Sequence, residues 1–153
     1  MSAREILLAD PAATDALGRL LAAGAPAGAV VYLDGPLGAG KSSLARAWLR
    51  ALGVAGAIKS PTYTLVERYR LPAGGEAAHL DLYRLADAAE LDFLGLDELA
   101  DARLWLVEWP ERGALGLPPP DLRIQLSLAG PGRLARLQAS SALGAAWLEK
   151  TPA

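Results

Sequence analysis

The stretch from Ala29 to Leu52, AVVYLDGPLGAGKSSLARAWLRAL, decides the fold. Its first six residues, Ala29 to Asp34, form a short apolar run rich in β-branched and aromatic side chains with glycine on either side, the pattern of a buried strand. From Lys41 onward, Leu44, Ala45, Trp48, Leu49 and Leu52 recur at helical period on one face, and Gly53 stands where a helix C-terminus needs a residue free to turn left-handed. Between strand and helix lies GPLGAGKS, Gly35 to Ser42, which fits G-x-x-x-x-G-K-[ST]. Strand, glycine loop and helix in this order form a cradle for phosphate. Gly38 and Gly40 let the backbone curl so that successive N–H groups point inward, and the helix adds its positive N-terminal dipole. Lys41 supplies a full charge to β- and γ-phosphates, the Ser42 hydroxyl suits magnesium, and Ser43 is placed to donate to an α-phosphate. The plainer alternative is a glycine-rich turn before an ordinary helix.

Outward from this segment, Asp10 followed by Pro11 reads as an N-cap and first turn, and Leu17, Leu20 and Leu21 follow at helical spacing up to Gly24, so the first element is expected to be a helix. Thr64 to Arg70 and Ala77 to Tyr83 read as two strands of an antiparallel hairpin, with LPAGGE as the turn. Ala86 to Ala102 is helical in pattern but broken near Gly95. Leu104 to Val107 is a second fully apolar strand ending in Glu108. Pro110 and the run Pro118 to Pro120 enforce an irregular connection. Leu122 to Leu128 and Leu134 to Ala139 flank the turn AGPGR as a second hairpin, and SSALGAAWLEK is a short helix capped by Ser140 or Ser141.

Composition narrows the chemistry. The 153 residues suit one domain, 1–153, long enough to bury about 70% of the surface of its unfolded chain. A formal charge of -2 provides no basic field for binding nucleic acid alone, so any RNA contact is expected to be shared with a partner. Without cysteine there is neither a disulfide framework nor a thiolate metal site, and one histidine excludes a multi-histidine zinc site. Magnesium is the expected metal. No apolar run reaches transmembrane length, and the N-terminus does not read as a secretory signal, so a cytoplasmic protein without membrane contact is expected.

A phosphate loop needs a carboxylate at the end of a neighbouring strand to hold magnesium and orient water. Two residues qualify. Glu108 either plays that part or merely ends its strand; Asp81, in HLDLYR, either joins it or pairs with Arg84. In KSPTYTL, Lys59 to Leu65, Pro61 forces Ser60 to be extended, while Thr62 and Thr64 offer hydroxyls, as in a loop that senses a γ-phosphate or simply in a polar strand entry. Trp109 either stacks on a base or packs, with packing preferred. Trp48 and Trp147 fall on apolar faces and read as core. His79 faces the same side of its strand as Asp81 and reads as a satisfied structural histidine.

The succession GPLGAGKSSL, IKSPTYTLVERY, HLDLYRL, ELDFLGLDEL and LWLVEWPER resembles the bacterial TsaE (YjeE) family over about Thr14 to Arg136. The resemblance implies an α/β, P-loop NTPase-like three-layer fold, a mixed sheet with parallel core strands and antiparallel hairpin additions. It also implies a slow ATPase, with ATP and Mg2+ as cofactors, required with TsaB and TsaD to form N6-threonylcarbamoyladenosine at position 37 of tRNAs reading codons that begin with A. On this resemblance the protein does not itself transfer the group. A free monomer docks onto the TsaB–TsaD heterodimer, meets tRNA only through that complex, and resets it by hydrolysis. Carried onto this chain, Lys41, Thr62, Asp81 and Glu108 do the chemistry, with Thr62 in a switch-like loop. Ser42, Asp81 and Glu108 hold the metal. Gly35, Gly38, Ala39, Gly40, Lys41, Ser42 and Ser43 bind the phosphates, Trp109 lies beside the nucleotide, and Gly132 with Arg133 forms a pair that approaches it. The residue after Gly35 is commonly Asp in the family and is Pro36 here, which removes a donor and a carboxylate from the loop's first turn. Two rival readings are a small-molecule kinase, in which Asp81 activates an acceptor hydroxyl, and a nucleotide-dependent scaffold without turnover.

Overall fold

A computed structural model describes residues 3–113 and 116–152. Residues 114 and 115, in the connection expected to be irregular, lie outside the described residues, as do the first two residues and the last. A seven-stranded sheet runs in the order β1-β7-β6-β2-β5-β4-β3. Its strands are β1 Ala3–Leu8, β2 Ala29–Asp34, β3 Val66–Arg70, β4 Glu76–Asp81, β5 Leu104–Glu108, β6 Leu122–Ala129 and β7 Gly132–Ala139. The central four, β6, β2, β5 and β4, are mutually parallel. The hairpins β3–β4 and β6–β7 are antiparallel, and β1 adds antiparallel to β7. This is the expected P-loop NTPase-like mixed sheet.

The helices are α1 Pro11–Gly24, α2 Lys41–Ala51 and α3 Ala142–Lys150. The Asp10 side chain accepts from the Ala13 amide, and Pro11 occupies the first turn of α1. Ser141, not Ser140, caps α3 by accepting from the Gly144 amide. The helices and one sheet face enclose the larger core, in which Leu17, Leu21, Leu44, Trp48 and Leu49 pack on Val31, Leu33, Leu106 and Ile124. Trp48 and Trp147 both belong to it, edge to face with ring centroids 5.8 Å apart, so the indoles are core as expected. A Cβ on Gly18 would meet Ala47 at 2.8 Å, so glycine is what lets α1 approach α2.

The other layer is thinner. Ala86 to Ala102, expected to be helical with a break, forms two short 3-10 turns, Ala88–Phe93 and Leu96–Leu99, with Gly95 left-handed between them at φ 70°. Leu91, Leu99 and Leu117 close over Leu80, Trp105 and Val107 in a second cluster.

One expectation is overturned. The first element is a strand, β1, and not the helix that begins after Asp10. Only Leu8 in β1 is fully buried, while Leu7 is 64% exposed, so apolar and polar residues do not alternate along it as they do in a strand with one buried face. Its place is set by β7, far along the chain, and by Arg4, which donates to the carbonyls of Leu148 and Thr151 at the end of α3. Strand β3 starts at Val66, two residues later than expected, because Leu65 takes a left-handed φ of 67°.

Candidate functional site

Glu108 sits at the meeting point of the parallel strands. In register it lies beside Leu33 of β2 on one side and Asp81 of β4 on the other. Parallel strands end together, so Asp34, Asp81 and Glu108 are delivered to one edge of the sheet, where α2 begins. Ala77, His79 and Asp81 alternate onto the sheet face that α2 covers, as do Leu104, Leu106 and Glu108.

The loop from Gly35 to Gly40 is built on three left-handed glycines, Gly35, Gly38 and Gly40, at φ 147°, 79° and 103°. A Cβ on Gly35 would stand 2.4 Å from the Leu126 carbonyl, so this position also needs glycine for close approach to β6. Pro36, the departure that left the first turn unexplained, fixes that turn through its carbonyl. The Pro36 carbonyl accepts from the Ala39 amide at 3.2 Å and from Lys41 Nζ at 2.9 Å, roles that need neither an N–H nor a carboxylate on residue 36. Lys41 Nζ also donates to the Gly35 carbonyl and lies 4.4 Å from the centre of the Trp109 ring.

Ser42, in the first turn of α2, donates to Glu108, 2.9 Å from Oε1 and 3.1 Å from Oε2. The same Oε2 lies 2.6 Å from His79 Nε2. Asp81 accepts from the Tyr83 amide at 3.0 Å and from Thr62 Oγ1 at 3.5 Å, the outer limit for such a bond; Ser60 Oγ is 2.7 Å from Thr62 Oγ1. Asp81 does not pair with Arg84, whose guanidinium lies over the exposed Tyr63 ring at 4.7 Å. Lys41, Ser42, Thr62, Asp81, Glu108 and Trp109 therefore come together.

Three charged groups here are almost wholly buried: Lys41 and Asp81 at 5% exposure and Glu108 at 2%. Burial holds Lys41 below the ordinary lysine range, partly offset by Glu108 and Asp81. Burial likewise pushes Asp81 above the carboxylate range; the Tyr83 amide opposes this and Glu108 adds to it. Trp109 holds a left-handed φ of 56°, rare for a bulky residue, and its ring packs on Tyr83 at 4.8 Å. Strained backbone next to a buried carboxylate is a frequent mark of a functional site.

Ser43 and Gly132 lie apart from the carboxylates. With Gly40, Asp10, Thr14 and Arg133 they line a cavity of about 620 Å³ between α1, α2 and the β6–β7 turn. Gly132 is glycine for a packing reason: a Cβ there would meet the Leu8 carbonyl at 2.5 Å. Its neighbour Arg133 reaches the phosphate loop and donates to the Gly38 carbonyl at 3.1 Å.

Among the described residues no group of three or more acidic or histidine side chains could hold a metal ion, and no helix is long and apolar enough to cross a membrane. The donor set does fit a cation that brings most of its ligands with it. One hydroxyl, a buried carboxylate and water suit magnesium on a polyphosphate better than a metal held by protein alone.

Sequence reasoning missed Asp10 and Thr14 as cavity-lining residues, and the place of His79. Asp10 carried only a capping signal. The two-residue spacing of His79 from Asp81 was visible and put both on one face, but nothing in the sequence placed Glu108 beside it.

Comparison with known proteins places the chain in a family. The family described as threonylcarbamoyl adenosine biosynthesis protein TsaE matches residues 8–135. The tRNA threonylcarbamoyladenosine biosynthesis protein TsaE of Haemophilus influenzae is 45% identical over 116 residues, 75% of this chain and 73% of that one. The protein of the same name from Bacillus subtilis is 37% identical over 125 residues, 79% of this chain and 75% of the other. The crystal structure of Bacillus subtilis YdiB superposes with a TM-score of 0.82 at 28% identity, covering 98% of this chain and 94% of that one.

Proposed function

The chain belongs to the TsaE family, and on that premise we propose that it is an ATPase of tRNA threonylcarbamoyladenosine biosynthesis, acting in the cytoplasm as a free monomer that docks onto the TsaB–TsaD heterodimer. The observation that carries this reading is the convergence on Glu108. A serine in the first turn after a phosphate loop donates to a buried carboxylate whose register neighbour is a second buried carboxylate, Asp81.

In this reading the amides of Gly38 to Ser43 and the start of α2 receive the phosphates. Lys41 exchanges its bonds to the Gly35 and Pro36 carbonyls for β- and γ-phosphate oxygens and withdraws from Trp109. Burial strengthens that attraction, because a desolvated ammonium gains more from a phosphate than one in water. Magnesium, when bound, neutralises charge that develops on the phosphates. Ser42, Asp81 and Glu108 hold it directly or through water, and Glu108 orients the attacking water. Thr62, bonded to Asp81, lets the Lys59–Leu65 loop sense the γ-phosphate. The cavity beyond Ser43 is of the size that takes a small organic ligand. It receives the nucleoside, with Asp10, Thr14 and Arg133 as its polar contacts. Preference for ATP over GTP rests on the family.

The test measures phosphate release from ATP with and without a TsaB–TsaD heterodimer, for the wild type and for Lys41→Ala. Turnover stimulated by the heterodimer and lost in Lys41→Ala supports the reading. ATP binding without phosphate release in either case would make the protein a scaffold, and normal ATP binding by Lys41→Ala would overturn the assignment of the loop.

A further inference from the structure

We propose that His79 is a positioning residue for Glu108: its Nε2–H fixes the carboxylate from the core side and keeps it aimed at the phosphate loop. The inference rests on the ATPase reading above and adds to it a residue that does not touch nucleotide.

The imidazole is buried in the middle of β4, at 2% exposure, between Ala77 and Asp81 on the face that α2 covers. Its two nitrogens differ sharply. Nε2 lies 2.6 Å from Glu108 Oε2, while Nδ1 is buried without a hydrogen-bond partner among the described residues. A histidine kept only for packing would be satisfied at both nitrogens or replaced by an aliphatic residue of similar bulk, since an unpartnered polar atom in the core is unfavourable. The contact with Glu108 is what this position has to offer.

The same geometry gives the tautomer. Ser42 Oγ lies within 3.1 Å of both Glu108 oxygens and donates to them, so Glu108 is the acceptor and Nε2 carries the proton.

Among the described residues Glu108 has two side-chain donors, Ser42 and His79. Lys41, though close enough to feel its charge, spends its hydrogen bonds on two backbone carbonyls. Ser42 is also the residue that must give its hydroxyl to magnesium. A hydroxyl that ligates a metal through a lone pair keeps its O–H, so Ser42 can serve both metal and carboxylate, and its place is then set by the metal while that of His79 is set by the core. His79 grips Oε2 from the core side and leaves Oε1, the oxygen nearer Ser42, turned toward the site. A charge-assisted bond of this length restricts the carboxylate to one rotamer, as the outer partners of metal ligands generally do.

The test compares His79→Leu, which removes the donor at similar bulk, with His79→Gln, whose amide nitrogen reaches about as far as Nε2. Three quantities are read for each: the thermal midpoint as a check on folding, kcat and KM for phosphate release with the partner heterodimer, and the tightening of ADP binding by magnesium, as the ratio of Kd in EDTA to Kd in Mg2+. For His79→Leu the expectation is a loss of about 10-fold or more in kcat with KM nearly unchanged, and a similar loss in the magnesium ratio, with binding in EDTA intact. His79→Gln should recover most of both. Wild-type values in His79→Leu would overturn the proposal, and so would equal losses in the two variants that track a fall in thermal midpoint, since those mark a structural role. If the wild type itself releases no phosphate, the ATPase reading fails, and the magnesium ratio still decides the part played by His79.

Discussion

Replacing Gly35 by alanine separates two properties of the phosphate loop that glycine-rich motifs usually confound, freedom of φ and room for the backbone. Gly35 has a φ of 147°, and a Cβ built there stands 2.4 Å from the Leu126 carbonyl oxygen and 3.3 Å from the Ala39 Cβ. That carbonyl cannot yield cheaply, because Leu126 is in register with Ala135 in the middle of the β6–β7 hairpin and β6 is also paired with β2. The backbone conformation alone costs about 1–3 kcal/mol for a residue with a side chain. Forcing a methyl group against fixed backbone adds about 1–3 kcal/mol. Gly35→Ala should therefore lose on the order of 4 kcal/mol, which for a chain of this size lowers the thermal midpoint by roughly 10 °C. Gly38 is the control: its φ is 79°, and a Cβ there meets nothing within 4 Å. Gly38→Ala carries only the left-handed penalty, about 1–2 kcal/mol. Urea denaturation followed by circular dichroism gives both stabilities, and titration with ADP shows whether the displaced loop still binds. Equal stability of the two variants would refute the reasoning, because it would mean that the approach to β6 is not what Gly35 is for.

Three further outcomes follow from the same site. Burial raises Asp81 above the ordinary carboxylate range, so the folded state holds this proton more tightly than the unfolded chain; the stability from this group is present at low pH and lost as pH rises through the raised value. Asp81→Asn, which keeps an acceptor for the Tyr83 amide, should melt higher than the wild type at pH 7, with the gap closing toward pH about 4, while phosphate release falls; a lower midpoint at pH 7 would contradict the burial argument. Because Lys41 Nζ lies 4.4 Å over Trp109, withdrawal of the lysine to phosphate should change indole fluorescence on ADP addition, and Trp109→Phe should abolish that change although Trp48, Trp105 and Trp147 remain. Gly132→Ala should destabilise the protein by about 1–3 kcal/mol through the clash with the Leu8 carbonyl; an unchanged midpoint in thermal denaturation would mean that β1 does not pack as described.

What was legible in the sequence, and what was not, divides along a physical line. Elements whose pattern is local could be read directly. β2 spans the residues expected because its apolar run is buried on both faces, and α2 and the capped start of α1 follow from period and punctuation. β1 was lost because its identity is not local: six residues with one fully buried side chain become a strand only when β7 arrives beside them. The same distinction runs through the site. Lys41 and Ser42 could be placed from the loop motif, since a phosphate loop is a contiguous object. Glu108 and Asp81 could be nominated from the residues but paired only through the family resemblance, because their adjacency depends on the register of two parallel strands separated by a crossover. His79 was read as a satisfied structural residue, and its environment shows the opposite, one nitrogen on Glu108 and the other with no partner among the described residues. Pro36 errs in the other direction. It looked like a defect when judged by the side chain and N–H that proline lacks, yet the loop uses its carbonyl, the one group every residue keeps. A departure from a family pattern therefore weakens a functional reading only where the missing atoms are the ones the geometry uses, and at residue 36 they are not.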